Sequence, residues 1–118
     1  MSYQFGKSSL KNRAGINPDL IAVLDRAVEI SIYDFGIPQL GGVRTAAQQK
    51  ELFDQGLSKA DGFKHKSHHQ SGNAVDVFAI DPETGKASWD HEHLAVVAAA
   101  VLQSASELGI EVQWGGLW

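Results

Sequence analysis

Lys64-His65-Lys66-Ser67-His68-His69-Gln70-Ser71-Gly72-Asn73-Ala74-Val75-Asp76-Val77 gathers three of the chain's five histidines, a glycine and a single aspartate. The aspartate falls inside Ala74-Val75-Asp76-Val77-Phe78-Ala79-Ile80, a run apolar on both alternating faces that reads as a strand buried on both sides. A bare carboxylate in such a strand would cost on the order of several kcal/mol or take up a proton, so it calls for a cation or a set of donors. His69 stands where the chain enters the strand, and Gly72 between them permits a sharp bend. An imidazole and a carboxylate converging at a strand mouth would make two of the three protein ligands of a His/His/carboxylate zinc site. The blander alternative is a regulatory or structural domain in which Asp76 simply pairs with an arginine, Arg44, beside a solvated histidine loop and without a metal.

Working outward, the 118 residues fit one small domain with a single core. Apolar and charged contents of 43% and 20% are ordinary for a globular protein. A net charge of −4, with no basic cluster, argues against a nucleic-acid partner. There is no cysteine, so disulfides and thiolate metal sites are excluded and any metal must be held by nitrogen and oxygen. The opening Met1-Ser2-Tyr3-Gln4-Phe5-Gly6-Lys7 has no apolar signal-peptide core, and no run is long enough to span a membrane. Synthesis in a cytoplasm without an export signal, and no membrane insertion, are the expectations.

N-terminal to the central stretch, residues 1–16 are polar with a few apolar anchors. Asn17-Pro18-Asp19 announces a helix, with Asn as N-cap, Pro at the first position and an acid in the first turn. Leu20, Val23, Leu24, Ala27 and Val28 then recur at helical spacing, predicting a helix over 18–30 with one face on the core. Phe35 to Leu40 reads as a strand approach limited by Pro38. Thr45-x-x-Gln48 has the form of a capping box, so a helix should begin at Ala46 and stop near Gly56. Arg44 would stand just before that helix, where a surface or capping role is the plain reading. Ser58 to Lys66 is a polar connection with Asp61-Gly62 as a turn, placed to border a substrate cleft.

C-terminal to the stretch, Asp81-Pro82-Glu83-Thr84-Gly85-Lys86 is a turn into a short return strand around Ala87–Trp89. Ser88 or Asp90 should cap the longest helix, roughly 91–108, which keeps a clean apolar period and ends at Gly109. His91 and His93 at its start are two apart and do not share a face, which makes them poor joint ligands. His65 and His68 read as exposed loop side chains. Ile110-Glu111-Val112-Gln113-Trp114 alternates apolar and polar and reads as a strand.

Ser67-x-His69-x-x-Gly72-x-Ala74-x-Asp76 resembles the S-x-H-x-x-G-x-A-x-D signature of the VanY-like zinc D-Ala-D-Ala peptidases, matching all five fixed positions. That family includes the phage L-alanyl-D-glutamate endopeptidases, which are endolysins, and Tyr3-Gln4-Phe5-Gly6-Lys7-Ser8-Ser9 is similar to the start of those enzymes. The resemblance spans most of the chain. It implies an α+β fold of the Hedgehog/D-Ala-D-Ala peptidase type, a small mainly antiparallel sheet with about three helices packed against it. It implies Zn2+ as cofactor, with His69 and Asp76 as metal ligands. Gly42-Val43-Arg44-Thr45 is similar to the family turn whose arginine stabilises the oxyanion, which assigns Arg44 a catalytic role. Ser67 and Gln48 are candidates to hydrogen-bond substrate or to orient Arg44.

The reaction implied is cleavage of peptidoglycan stem peptides at the L-alanyl-D-glutamate bond. Water at zinc, its pKa lowered toward about 7, would attack the amide while a carboxylate general base moves the proton. The protein would be a monomer made in the host cytoplasm and released to the wall by a holin. The alternatives are a D-alanyl-D-alanine carboxypeptidase and a catalytically inactive, truncated wall-binding module. The last arises because the family commonly continues a Trp-Gly-Gly turn, here Trp114-Gly115-Gly116, into a segment with the catalytic acid and the third zinc-binding histidine. Residues 1–118 are thus expected to form a single zinc peptidase-like domain lacking the family's C-terminal end, with Leu117 where an aspartate is common. Glu111 is the nearest acid in that segment and is not assigned the base role.

Overall fold

The computed structural model describes residues 3–39, 41–57, 61–62, 70 and 72–114. In chain order the elements are α1 (Lys7–Asn12), α2 (Pro18–Ile30), β1 (Phe35–Gly36), α3 (Ala46–Asp54), β2 (Phe78–Ile80), β3 (Ala87–Ser88) and α4 (His91–Leu108). The strands form one antiparallel sheet in the order β1-β2-β3, with Phe35 opposite Ala79 and Ile80 opposite Ala87. This is an α+β architecture of a short sheet with helices against it.

The core lies between α2, α4 and the sheet. Val23, Leu24, Ala27 and Val28 of α2 meet Val97, Ala100, Val101 and Ala105 of α4 over Phe35, Ile37 and Ala79. The small alanines let the two helices approach, and burial of their apolar stripes supplies the main driving force for the fold. Each long helix starts and stops on its local chemistry. Asn17 accepts from the Asp19 amide at 2.9 Å, and Asp90 accepts from the Glu92 amide at 2.9 Å. Gly109 ends α4 in the left-handed region at φ 67°, which glycine adopts at least cost. Ser104 is fully buried on α4, and its hydroxyl has no hydrogen-bond partner among the described residues. No helix among the described residues is long and apolar enough to cross a membrane.

Three expectations need correction. The apolar run from Ala74 is a strand only over Phe78–Ile80, and Asp76 lies ahead of it on the exposed side of an irregular segment. The run is apolar because Val77 and Ala79 turn into the core, while residues 74–77 cross from loop to sheet. The strand approach before Pro38 ends at Gly36. Residues 110–114 form no ladder among the described residues, although Ile110, Val112 and Trp114 do pack on the core while Glu111 and Gln113 face out. Alternation here reports burial without a partner strand to pair with. Helix α1 lies in the opening segment, for which the sequence set no element; it lacks a side-chain cap and an apolar period. It is held from outside, Ser9 Oγ accepting from the Ile37 amide at 3.0 Å and Asn12 Nδ2 donating to the Ile37 carbonyl at 2.8 Å.

Candidate active site

Three segments converge on Asp76. The first is the turn before α3. Gly42 packs so tightly on α1 that a Cβ there would sit 2.1 Å from the Asn12 carbonyl oxygen. This close approach fixes the turn, and the Gly41 carbonyl beside it accepts from the Asp76 amide at 2.7 Å. The second is the start of α2. The Asn17 amide donates to the Gly72 carbonyl at 2.9 Å, and Asn17 Nδ2 donates to Asn73 Oδ1 at 3.2 Å. Asn17 therefore caps its helix with one side-chain atom and tethers the 72–73 loop with the other. Gly72 has φ 76° and packs its α-carbon against the chain, a Cβ there falling 2.8 Å from the Gly15 carbonyl oxygen. Only glycine satisfies both conditions.

The third segment is the N-terminus of α3. The capping box is complete: the Gln48 amide donates to Thr45 Oγ1 at 3.1 Å and the Thr45 amide to Gln48 Oε1 at 2.9 Å. Gln48, a candidate for contacting substrate or orienting Arg44, has its side-chain oxygen engaged in this cap. The residue that touches Arg44 is its neighbour: Arg44 Nη1 donates to Gln49 Oε1 at 3.1 Å. Gln49 is completely buried. Sequence reading missed it, although the register of the capping box would have found it. With Gln48 at the third helical position its side chain turns back to the cap, and the next residue is rotated by about 100°, one step of the helix.

Arg44 Nη2 donates to Asp76 Oδ2 at 2.8 Å. The structure thus brings together Arg44 and Asp76, two of the residues singled out in sequence, and joins them as an ion pair. That pairing was the blander reading of Asp76. It does not compete with metal ligation, because a carboxylate offers two oxygens and about four lone-pair sites. His69 and Ser67 lie outside the described residues, as do His65, His68 and most of the 58–66 connection. Among the described residues no group of three His, Cys, Asp or Glu side chains is placed to hold a metal ion. Asp76 itself suits one oxygen ligand, since its backbone is pinned and its carboxylate reaches solvent. His93 is engaged elsewhere, with Nδ1 2.7 Å from Ser88 Oγ and its ring edge-on to Tyr33. An open groove of about 580 Å³ borders the segment, lined in part by Asn73, Ala74, Val75, Leu20, Val112 and Trp114.

The fold is that of a known peptidase class. It matches the crystal structure of the Serratia marcescens L-Ala D-Glu endopeptidase ChiX with a TM-score of 0.83 and 36% identity, over 99% of this chain and 82% of that one. The chain is also 40% identical to the L-alanyl-D-glutamate peptidase of Escherichia phage T5, over 100% of this chain and 83% of its relative. Across residues 1–118 it matches the phage L-alanyl-D-glutamate peptidase family, and it belongs to that family.

Proposed function

We propose that the chain is a zinc-dependent peptidoglycan peptidase of the phage endolysin type, hydrolysing the L-alanyl-D-glutamate bond of cell-wall stem peptides. The observation that carries this reading is the convergence of Arg44 and Asp76 at the end of a pinned loop, in a chain of this family. Zn2+ held by His69, Asp76 and a further ligand would supply a Lewis acid and an activated water. Arg44 is the chain's own contribution to the charge that develops on the scissile carbonyl oxygen. A guanidinium held before reaction favours a tetrahedral oxyanion over a planar amide, because no reorganisation is needed when the charge appears. The groove beside Ala74 and Val75 is of a size that admits an extended peptide segment. Ser67 and Gln48 are the side chains proposed to contact that peptide, the latter through atoms beyond its cap bond. On this reading the protein is a monomer made in the host cytoplasm, reaching the wall after holin-mediated release.

The test is digestion of purified peptidoglycan by the zinc-supplemented protein, with mass spectrometry of the products. New amino-terminal D-glutamate is the expected result. Release of free D-alanine alone would replace it with a carboxypeptidase, and wall binding without any release would leave a non-catalytic module.

A further inference from the structure

We infer that Gln49 is a positioning residue for Arg44: a buried amide that fixes the rotation of the guanidinium and, through it, the carboxylate of Asp76. The catalytic consequence rests on the peptidase reading, whereas the positioning itself stands on geometry. Gln49 Oε1 takes Arg44 Nη1 at 3.1 Å while Nη2 of the same guanidinium reaches Asp76 Oδ2 at 2.8 Å. Two different nitrogens of one rigid plane are therefore held by acceptors from two different segments, α3 and the chain ahead of β2, which sets both tilt and rotation.

The glutamine is itself immobilised. Its backbone N–H donates to the Thr45 carbonyl at 3.0 Å in the first turn of α3, which fixes the point from which the side chain departs. Gly62 lies over it so closely that a Cβ there would meet the Ala46 carbonyl oxygen at 2.7 Å and Gln49 Cβ at 3.2 Å. Gln70 Nε2 holds that covering backbone by donating to the Gly62 carbonyl at 2.9 Å. A side chain of this polarity, fully buried and roofed by backbone, is retained at a desolvation cost that an apolar residue would not carry. The bond to Arg44 sets a fixed acceptor for the guanidinium against that cost. The arrangement extends from α3 through Gln49 and Arg44 to Asp76, so a buried helix position controls a solvent-facing carboxylate.

The test uses the whole chain and reads the arginine directly. In a protein labelled with nitrogen-15, the two Nη signals of Arg44, assigned through Arg44→Lys, should be resolved in the wild type. Gln49→Met, which keeps the volume and loses the acceptor, should merge them by freeing rotation about the Nε–Cζ bond, and Gln49→Glu, which keeps the oxygen, should restore the separation. Should Gln49→Met fail to fold, Gln49→Asn, which draws the amide back by one methylene, serves for the same comparison. In the zinc-supplemented enzyme Gln49→Met should lower kcat by about tenfold while KM stays within about twofold, the size of effect usual for supports of metal-site ligands. Unmerged Arg44 signals in Gln49→Met overturn the inference. A wild type that retains zinc but releases nothing from peptidoglycan overturns the peptidase reading instead, with the arginine spectra still deciding the role of Gln49.

Discussion

Arg44 and Asp76 meet at 2.8 Å from unlike surroundings: the arginine side chain is 11% exposed and the aspartate 48%. The guanidinium is therefore the anchored half of the pair, backed by Gln49, and the carboxylate is the half that faces outward. Thirty-two residues separate them in sequence, and the bond between the Asp76 amide and the Gly41 carbonyl closes that distance. Solvent on the aspartate side limits what the pair adds to stability, on the order of 1 kcal/mol or less.

Asp76→Asn should consequently separate stability from function. Thermal unfolding should change by no more than about 1 kcal/mol, because the amide still accepts from Arg44 and the backbone tethers remain. Zinc content after dialysis and release of peptidoglycan fragments should both fall to background. A variant that keeps a full equivalent of zinc would contradict the assignment of Asp76 as a ligand.

Gly72→Ala should be far more damaging than its one methyl group suggests. It combines a left-handed backbone with a contact against the Gly15 carbonyl, and the expected loss is about 2–4 kcal/mol in chemical denaturation. Gly85→Ala is the control, because Gly85 is also left-handed but has nothing near its Cβ position. Equal losses in the two variants would mean that the close approach to Gly15 contributes nothing.

Thr45→Ala removes half of the capping box and should destabilise the protein by about 1 kcal/mol. Gln48→Ala should cost a similar or smaller amount, since it leaves the Thr45 amide to water. Because Arg44 directly precedes this cap, both variants should lower kcat/KM as well. A rise in KM confined to Gln48→Ala would be the mark of its proposed contact with substrate.

Asp34 gives the stability a defined response to acid. Partial burial raises its carboxyl above the ordinary value of 3.8, against the lowering effect of the bond it accepts from the Phe35 amide. Between 3.8 and the raised value the folded state holds more protons than the unfolded chain, so this residue subtracts stability as pH rises through that window. Asp34→Asn, which can keep the bond to Phe35, should be more stable than the wild type at neutral pH. The difference should vanish below pH 3.8, in melts followed by circular dichroism.

The legible parts of the fold were those written in local chemistry. Asn17-Pro18, Thr45-x-x-Gln48 and Gly109 mark helix ends because caps act within a few residues, and α2, α3 and α4 begin or end where those signals stand. The Asp81–Lys86 turn is likewise closed by its own bonds, Asp81 donating to the Lys86 carbonyl and Gly85 to that of Asp81. What escaped depends on distant partners. Helix α1 exists because Ile37 supplies bonds to it, and residues 110–114 lack a ladder because no described strand lies alongside. At the site, the Arg44–Asp76 pair could be named as the blander reading of Asp76, but the chain path that closes it could not, since it depends on how Gly42 packs against Asn12. Gln49 was hidden for a simpler reason: two adjacent glutamines look alike until the turn of the helix separates one toward the cap and the other inward.

The tethers that place Asp76 include two main-chain bonds, Asp76 to Gly41 and Asn17 to Gly72. Such bonds name no side chain, so apart from the glycines at positions 42 and 72 mutational drift can rewrite the residues around them without moving the loop. An architecture shared with ChiX at a TM-score of 0.83, when only 36% of residues are the same, is what a scaffold fastened through its peptide groups would leave behind over long divergence. Lineages could then vary the groove walls and retune what they cut while the position of the acid stays put.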